Sequence, residues 1–349
     1  MGHYLAAAEQ VGDWLYSLAK AHALFWPRSA GARNFSFLPV GAREDIGFGP
    51  YRPTIVPPGR RLLPDDETLF TCRRGDDSSV QYLPPDPPPA MILAGVRSCD
   101  LKGIARLDAV MAASPADPLY LSRRANTAVI GMNCLAPCDD RCFCVSAGAL
   151  DCRDGADIFL TPLADGLLVE QLSERGEELL AGAAFSVCED GEARKMAAAG
   201  ERPEPFGRKL AAPVEALPEI LRTTYSSSLY HRFGARCFSC GTCNLVCPTC
   251  YCFEVKDEMA LDGATGRRSR SWDSCMIPAF AEVAGPHNFR PEVGERQRHR
   301  LQRKFAYLPE RFGSGSFCVG CGRCGRQCTA DIDILAMVND IVAAAGGGV

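Results

Sequence analysis

Two segments carry four cysteines each at one spacing. The first, C-F-S-C-G-T-C-N-L-V-C-P, runs from Cys237 to Pro248, and the second, C-V-G-C-G-R-C-G-R-Q-C, from Cys318 to Cys328. Both read C-x2-C-x2-C-x3-C, the run that wraps a cubane 4Fe–4S cluster in bacterial two-cluster ferredoxins. The first three thiolates make a tight loop around three irons. The fourth, at the start of the next helix, serves the other cluster. The spacing therefore predicts a crossed arrangement. Cys237, Cys240, Cys243 and Cys328 would hold one cluster, and Cys318, Cys321, Cys324 and Cys247 the other.

Other uses of cysteine fit less well. A buried cysteine behaves as a small hydrophobe, which does not explain two identical quartets. Disulfides belong to oxidising compartments, whereas clustered cysteines in a cytosolic chain point to metal or catalysis. Zinc is the serious competitor. Its structural sites take two C-x2–4-C pairs across a longer spacer, and four cysteines within eleven residues are too crowded for that.

A third set of cysteines depends on the fold. Met91 to Val96 (M-I-L-A-G-V) and Thr127 to Met132 (T-A-V-I-G-M) are short apolar runs. Between them Ile104, Leu107 and Met111 recur at helical spacing within 101–113. Strand, helix, strand predicts a βαβ unit with parallel strands, whose carboxyl ends share the edge where ligands bind. Cys99 and Cys134 follow the two strands closely, so two cysteines distant in sequence are expected to meet. The string C-L-A-P-C-D-D-R-C-F-C, starting at Cys134, adds Cys138, Cys142 and Cys144. Cys99, Cys134, Cys142 and Cys144 are thus a candidate ligand set for a third cluster, with Cys138 as the substitute. Their spacing matches no ferredoxin run, so zinc and free buried thiols stay open as readings. Cys250 and Cys252 read as packed thiols or as lining beside a cluster.

The chain as a whole must position these residues. Its 349 residues favour two domains, and 47% hydrophobic composition allows sizeable cores. A net charge of -4 speaks against a nucleic-acid binder. Of the 19 cysteines, fifteen fall in the windows 134–152, 237–252 and 318–328, unlike a disulfide scaffold. No apolar run approaches the roughly 20 residues needed to cross a bilayer. Glu9 and Asp13 interrupt what would be the apolar part of a signal peptide. A cytoplasmic protein is expected.

Residues 4–24 predict an amphipathic helix through Val11, Leu15 and Leu18. Residues 51–64 and 84–89 read as extended connectors. Asp157–Leu160 and Leu167–Val169 flank an Asp-Gly turn and predict a hairpin, and 172–182 and 189–200 predict surface helices. Residues 203–213 suggest a linker, followed by a helix over 214–230. The expected division is an α/β domain with a partly parallel sheet over 1–212, and an α-helical two-cluster ferredoxin domain over 213–349. A long insertion, residues 253–315, is expected to be filled by helices. Its basic run, with Arg290, Arg296, Arg298, Arg300, Arg303, Lys304 and Arg311, reads by default as a solvated face. The functional alternative is that these charges offset thiolate-ligated iron and raise its potential.

Several strings together resemble one family. They are G-V-R-S-C-D-L from Gly95, Y-L-S-R-R from Tyr120, C-F-C-V-S from Cys142 and V-C-P-T-C-Y-C-F from Val246. W-D-S-C ending at Cys275, H-N-F-R ending at Arg290 and C-V-G-C-G-R-C from Cys318 continue the series. Over about residues 50 to 340 the chain is similar to the beta subunit of soluble NAD(P)-linked nickel–iron hydrogenases, the sulfhydrogenases, and to its relative, the A-type subunit of anaerobic sulfite reductase. One departure is Thr329, where proline usually follows the last cysteine. Proline there starts a helix and is not a ligand. The resemblance implies an iron–sulfur electron-transfer subunit working beside a flavin subunit that handles NAD(P) and beside a catalytic hydrogenase subunit. The alternative is the same role in anaerobic sulfite reductase. A zinc-stabilised adaptor is the rival from another class. The chain lacks a G-x-G-x-x-G after a predicted strand, which weighs against a dinucleotide site of its own.

Overall fold

The computed structural model describes residues 2–31, 34–77, 79–202, 207–261, 263–285 and 287–346. In chain order, β1 (His3–Ala6) leads through the helix Ala8–Ala21 to β2 (Ala23–Ser29) and β3 (Phe35–Pro39). β4 (Asp66–Arg74) and β5 (Val80–Leu83) form a hairpin, and β6 (Met91–Arg97) follows. Two helices, Ser98–Met111 and Pro118–Ala125, connect β6 to β7 (Thr127–Met132). β8 (Ile158–Leu163) and β9 (Gly166–Gln171) are an antiparallel pair, and β10 (Ser186–Val187) is a short edge strand. β11 (Phe253–Met259) and β12 (Thr265–Trp272) come much later.

The larger sheet has the order β10-β1-β9-β8-β7-β6-β2-β3, with β2, β6, β7 and β8 parallel and the flanking strands antiparallel. The expected βαβ unit is present. Its apolar runs are continuous because both faces are covered. Ile92, Ala94, Ala128 and Ile130 pack with Val11, Trp14 and Leu15 of the first helix. Leu93, Val96 and Val129 pack with Leu101, Ile104 and Leu107 on the other side. Gly95 sits at φ +75° where the β6–β7 register slips, and a Cβ there would lie 2.9 Å from Pro27 Cδ. Only glycine fits that crossing.

Three expectations need correction. The helix over 4–24 is shorter, because Tyr4, Leu5 and Ala6 pair with β9 and become strand. The helix over 214–230 is two short pieces, Leu217–Thr223 and Leu229–Gly234, broken by a turn. The insertion is not all helical. β11 and β12 form a hairpin that joins β4 and β5 in a second sheet, ordered β11-β12-β4-β5. Of the expected linker, residues 203–206 lie outside the described residues.

Helices do surround the C-terminal cysteines. Leu217, Leu221, Tyr230, Phe233, Leu301 and Phe305 bury against the C-terminal helix Ile334–Gly346, which contributes Ile334, Leu335, Val338 and Ile341. The last four recur on one helical face, and each buried side chain contributes about 1.5–3 kcal/mol. Among the described residues no helix is long and apolar enough to cross a membrane.

Candidate metal centres

The two cysteine quartets share a backbone as well as a spacing. Ser239 and Gly241 have φ of +56° and +77°, and Gly320 and Gly322 have +65° and +75°. Each pair is followed by one helical turn, Thr242–Leu245 in the first case and Arg323–Arg326 in the second. The left-handed residues curl the chain so that successive thiols face one centre. Ser239 N–H donates to Cys237 Sγ at 3.4 Å, and the Gly320 amide neighbours the Cys318 thiol at the equivalent position.

Cys247 belongs in space with the second quartet. Its thiol is an electrostatic neighbour of Cys318, Cys321 and Cys324. Cys243 has Cys237, Cys324 and Cys247 around it. Cys328 accepts a 3.3 Å bond from Ile332 N–H and packs against the apolar cluster that Cys237 also touches. Cys240 is exposed, and the Thr242 hydroxyl and then its amide hold that thiol below its ordinary range. Cys247 is held well below its ordinary range by its neighbours Cys250 and Lys304, whereas burial pushes Cys243 up to about 11 and Cys321 up to about 12. Such thiols ionise only when a metal takes the place of the proton.

The third set also converges. The Ser98 amide neighbours the Cys134 thiol, so the ends of β6 and β7 meet as the topology predicts. Cys138 is a neighbour of Cys99, Cys134 and Cys142 alike. Cys144 neighbours Cys142 and packs against Cys99, Val319 and Cys321. This loop interlocks with the second quartet. Phe143 N–H donates to Gly320 O at 2.7 Å, and a Cβ on Gly320 would lie 2.6 Å from the Phe143 carbonyl.

Buried cations stand beside members of each of the three sets. Arg97 Nη1 reaches Cys134 Sγ at 3.3 Å, and its guanidinium lies 3.8 Å from the Tyr51 ring centre. Lys304 Nζ donates to Cys247 Sγ at 3.3 Å and to Thr249 Oγ1 at 2.5 Å. Arg300 neighbours Cys324, while its Nε has no partner among the described residues. Burial alone would pull Arg300 down, but Cys243, Cys324, Cys247 and Cys250 outweigh it and hold the guanidinium well above its ordinary value. Arg296, Arg300 and Lys304 are each at most 5% exposed, so the solvated-face reading of the basic run is wrong for them. They form one face at i, i+4 and i+8, and that spacing was visible in the sequence. Arg97 and Arg323 were not foreseen as site residues, and nothing local to them marks burial.

Isolated buried charge is costly unless paired. No carboxylate offsets Arg300 or Lys304 in the ion pairs of the described residues, so the compensating charge must come from thiolates and what they ligate. Sulfur spacing separates a cluster from a single ion. A tetrahedral zinc with bonds of about 2.3 Å brings its sulfurs to about 3.8 Å. Among the described residues, the one group of three or more such donors within 4.8 Å of one another is His3, Glu170 and Glu192, with no cysteine in it. Among the described residues no three cysteine sulfurs lie within 4.8 Å of one another, the spacing a single tetrahedral ion requires.

The comparisons agree with this chemistry. Residues 236–332 match the family described as "4Fe-4S dicluster domain", and two 4Fe–4S clusters are accordingly this segment's cofactors. No solved structure matches the chain. Sulfhydrogenase 2 subunit beta of Pyrococcus furiosus is 35% identical over 311 residues, covering 88% of this chain and 89% of that protein. The chain belongs to the family of sulfhydrogenase beta subunits.

Proposed function

We propose that this protein is the iron–sulfur electron-transfer subunit of a soluble cytoplasmic nickel–iron hydrogenase, placed between a flavin subunit that handles NAD(P) and the catalytic subunit. The observation that carries the reading is the contiguity of three cysteine sets with buried cations between them. Cys237, Cys240, Cys243 and Cys328 would hold one cluster and Cys318, Cys321, Cys324 and Cys247 the second. Cys99, Cys134 and Cys142 would hold a third, with Cys138 favoured over Cys144 as the fourth ligand because it neighbours all three. Bound there, the clusters supply one-electron transfer.

The chain's own residues set potential and access. Arg300 sits between Cys243 of one set and Cys324 of the other, where its charge favours the reduced form of both. Arg97 does the same beside Cys134. Apolar walls keep water from most of the thiols, but Cys240 and its neighbour Phe238, 71% exposed, open on the surface. A cavity of about 650 Å³ lined by Phe35, Phe48, Tyr51, Arg97 and Asn133 reaches Cys138. The two openings suit two electron partners.

Anaerobic purification of the tagged chain from its own cells tests this. A brown protein with about twelve irons from these three sets, co-purifying with a nickel protein, is expected. A colourless, zinc-loaded chain would sink the reading, and a siroheme partner in place of nickel would move it to sulfite reduction.

A further inference from the structure

Six cysteines remain outside the sets described above, and three of them come together beside the C-terminal quartets. Cys250 and Cys252 stand at the entrance to β11, and Cys275 follows β12 by three residues. The hairpin register puts Phe253 opposite Trp272, and Asp273 N–H donates to Cys252 O at 3.0 Å. The base of the hairpin therefore brings together residues about 25 apart in sequence. The Cys252 and Cys275 thiols are electrostatic neighbours, and Cys250 neighbours both Cys252 and Cys247. Cys275 in turn lies beside Cys243. The trio thus touches one cysteine from each C-terminal ligand set. Cys250 and Cys275 are each 7% exposed.

Unpartnered polar atoms face this trio from elements far away in the chain. Arg60, 4% exposed, comes from the short turn Pro58–Arg61. Its guanidinium lies 4.3 Å from the Trp272 ring centre and Nη2 donates to Asn244 O at 3.0 Å, but Nε and Nη1 have no partner among the described residues. The thiols of Cys250, Cys247 and Cys252 are its electrostatic neighbours. Asn244, fully buried, donates Nδ2 to Cys275 Sγ and Ser274 Oγ, both at 3.0 Å, and its Oδ1 is unpartnered. A buried guanidinium with two idle donors needs an anion more extended than three neutral thiols. The trio, like the other sets, is too open for one tetrahedral ion.

We infer that Cys250, Cys252 and Cys275 hold a further iron–sulfur cluster of the cubane type, fastened by three thiolates and neutralised by Arg60, between the two clusters of the dicluster domain. This rests on the iron–sulfur reading of the chain. With only three cysteines, one iron corner is left without a thiolate, so this centre is the one from which iron is lost first on exposure to air.

The test uses the full-length chain purified anaerobically, with iron and sulfide counted and the reduced protein examined by electron paramagnetic resonance. The triple variant Cys250→Ser/Cys252→Ser/Cys275→Ser is expected to lose about three to four irons while the signals of the other clusters persist. An unchanged iron count overturns the inference, as does zinc that disappears from the variant. If the wild-type chain holds no iron, the function proposed above fails instead. If the triple variant loses all its iron, Arg60→Gln decides, since it keeps every thiol. Expected there are an unchanged iron count and a lower potential for one centre that is insensitive to both Cys328→Ser and Cys321→Ser. No shift in any potential would overturn the inference.

Discussion

Arg323 and Asp100 form a fork-to-fork ion pair inside the protein, with Nη1–Oδ1 at 2.7 Å and Nη2–Oδ2 at 2.8 Å. Their side chains are 1% and 3% exposed. Arg323 lies between Cys321 and Cys324, and Asp100 follows Cys99, so one ion pair ties the second quartet to the third cysteine set. Arg323 also donates Nε to Thr54 O at 2.6 Å, which anchors the connector before β4.

Breaking that pair from one side should be severe. Arg323→Gln leaves Asp100 buried and unpaired, at a cost of about 3–5 kcal/mol. Thermal unfolding under argon should show the loss, and the double variant Arg323→Met/Asp100→Leu should recover most of it. A double variant as unstable as the single one would mean that the charge pair was not the cause.

Crossed ligation can be read from single serine variants. Cys328→Ser should damage the cluster nearest Cys237, and Cys247→Ser the one nearest Cys318. Resonance signals assigned by the accompanying Cys240→Ser and Cys321→Ser variants decide the matter. The opposite pattern would mean that each segment keeps its own last thiol.

Cys138 and Cys144 compete for one ligand position. Cys138→Ser should cost the protein about four irons, whereas Cys144→Ser should leave the count unchanged. The reverse outcome would return the ligand set to Cys99, Cys134, Cys142 and Cys144.

Arg300 should change the sign of its effect with loading. In cluster-free protein Arg300→Gln removes a buried charge and is expected to stabilise by about 1 kcal/mol or more. In loaded protein the same change removes a counter-ion. It should then destabilise and lower the potentials of the flanking centres by on the order of tens of millivolts. Chemical denaturation with and without iron, and potentiometric titration, measure the two halves of this prediction.

What the sequence disclosed follows from how local each signal is. The quartets are readable because the ligand loop is built within eleven residues. The β6–β7 unit is readable because its strands are buried on both faces and so become unbroken apolar runs. β11 escaped notice because all seven of its residues are exposed, so it carries no apolar alternation. Its partner β12 presents arginines, and Arg268 pairs with Asp257 across the hairpin. Tyr4 to Ala6 became strand through β9, more than 160 residues away. Arg60 and Arg97 gave no signal, since a buried arginine is defined by neighbours from other segments. Arg296, Arg300 and Lys304 did carry one, as a charged face interleaved with Leu301 and Phe305.

The second sheet has a consequence for how this polypeptide can be handled. β12 hydrogen-bonds β4 along its length, so a strand from before residue 75 is sewn to one from beyond residue 264. Expressing the C-terminal half alone would strip β12 of that neighbour and leave a raw, sticky border. Such a fragment should precipitate or pair with itself, and genetic fission of this chain near residue 212 should fail unless both pieces are made together.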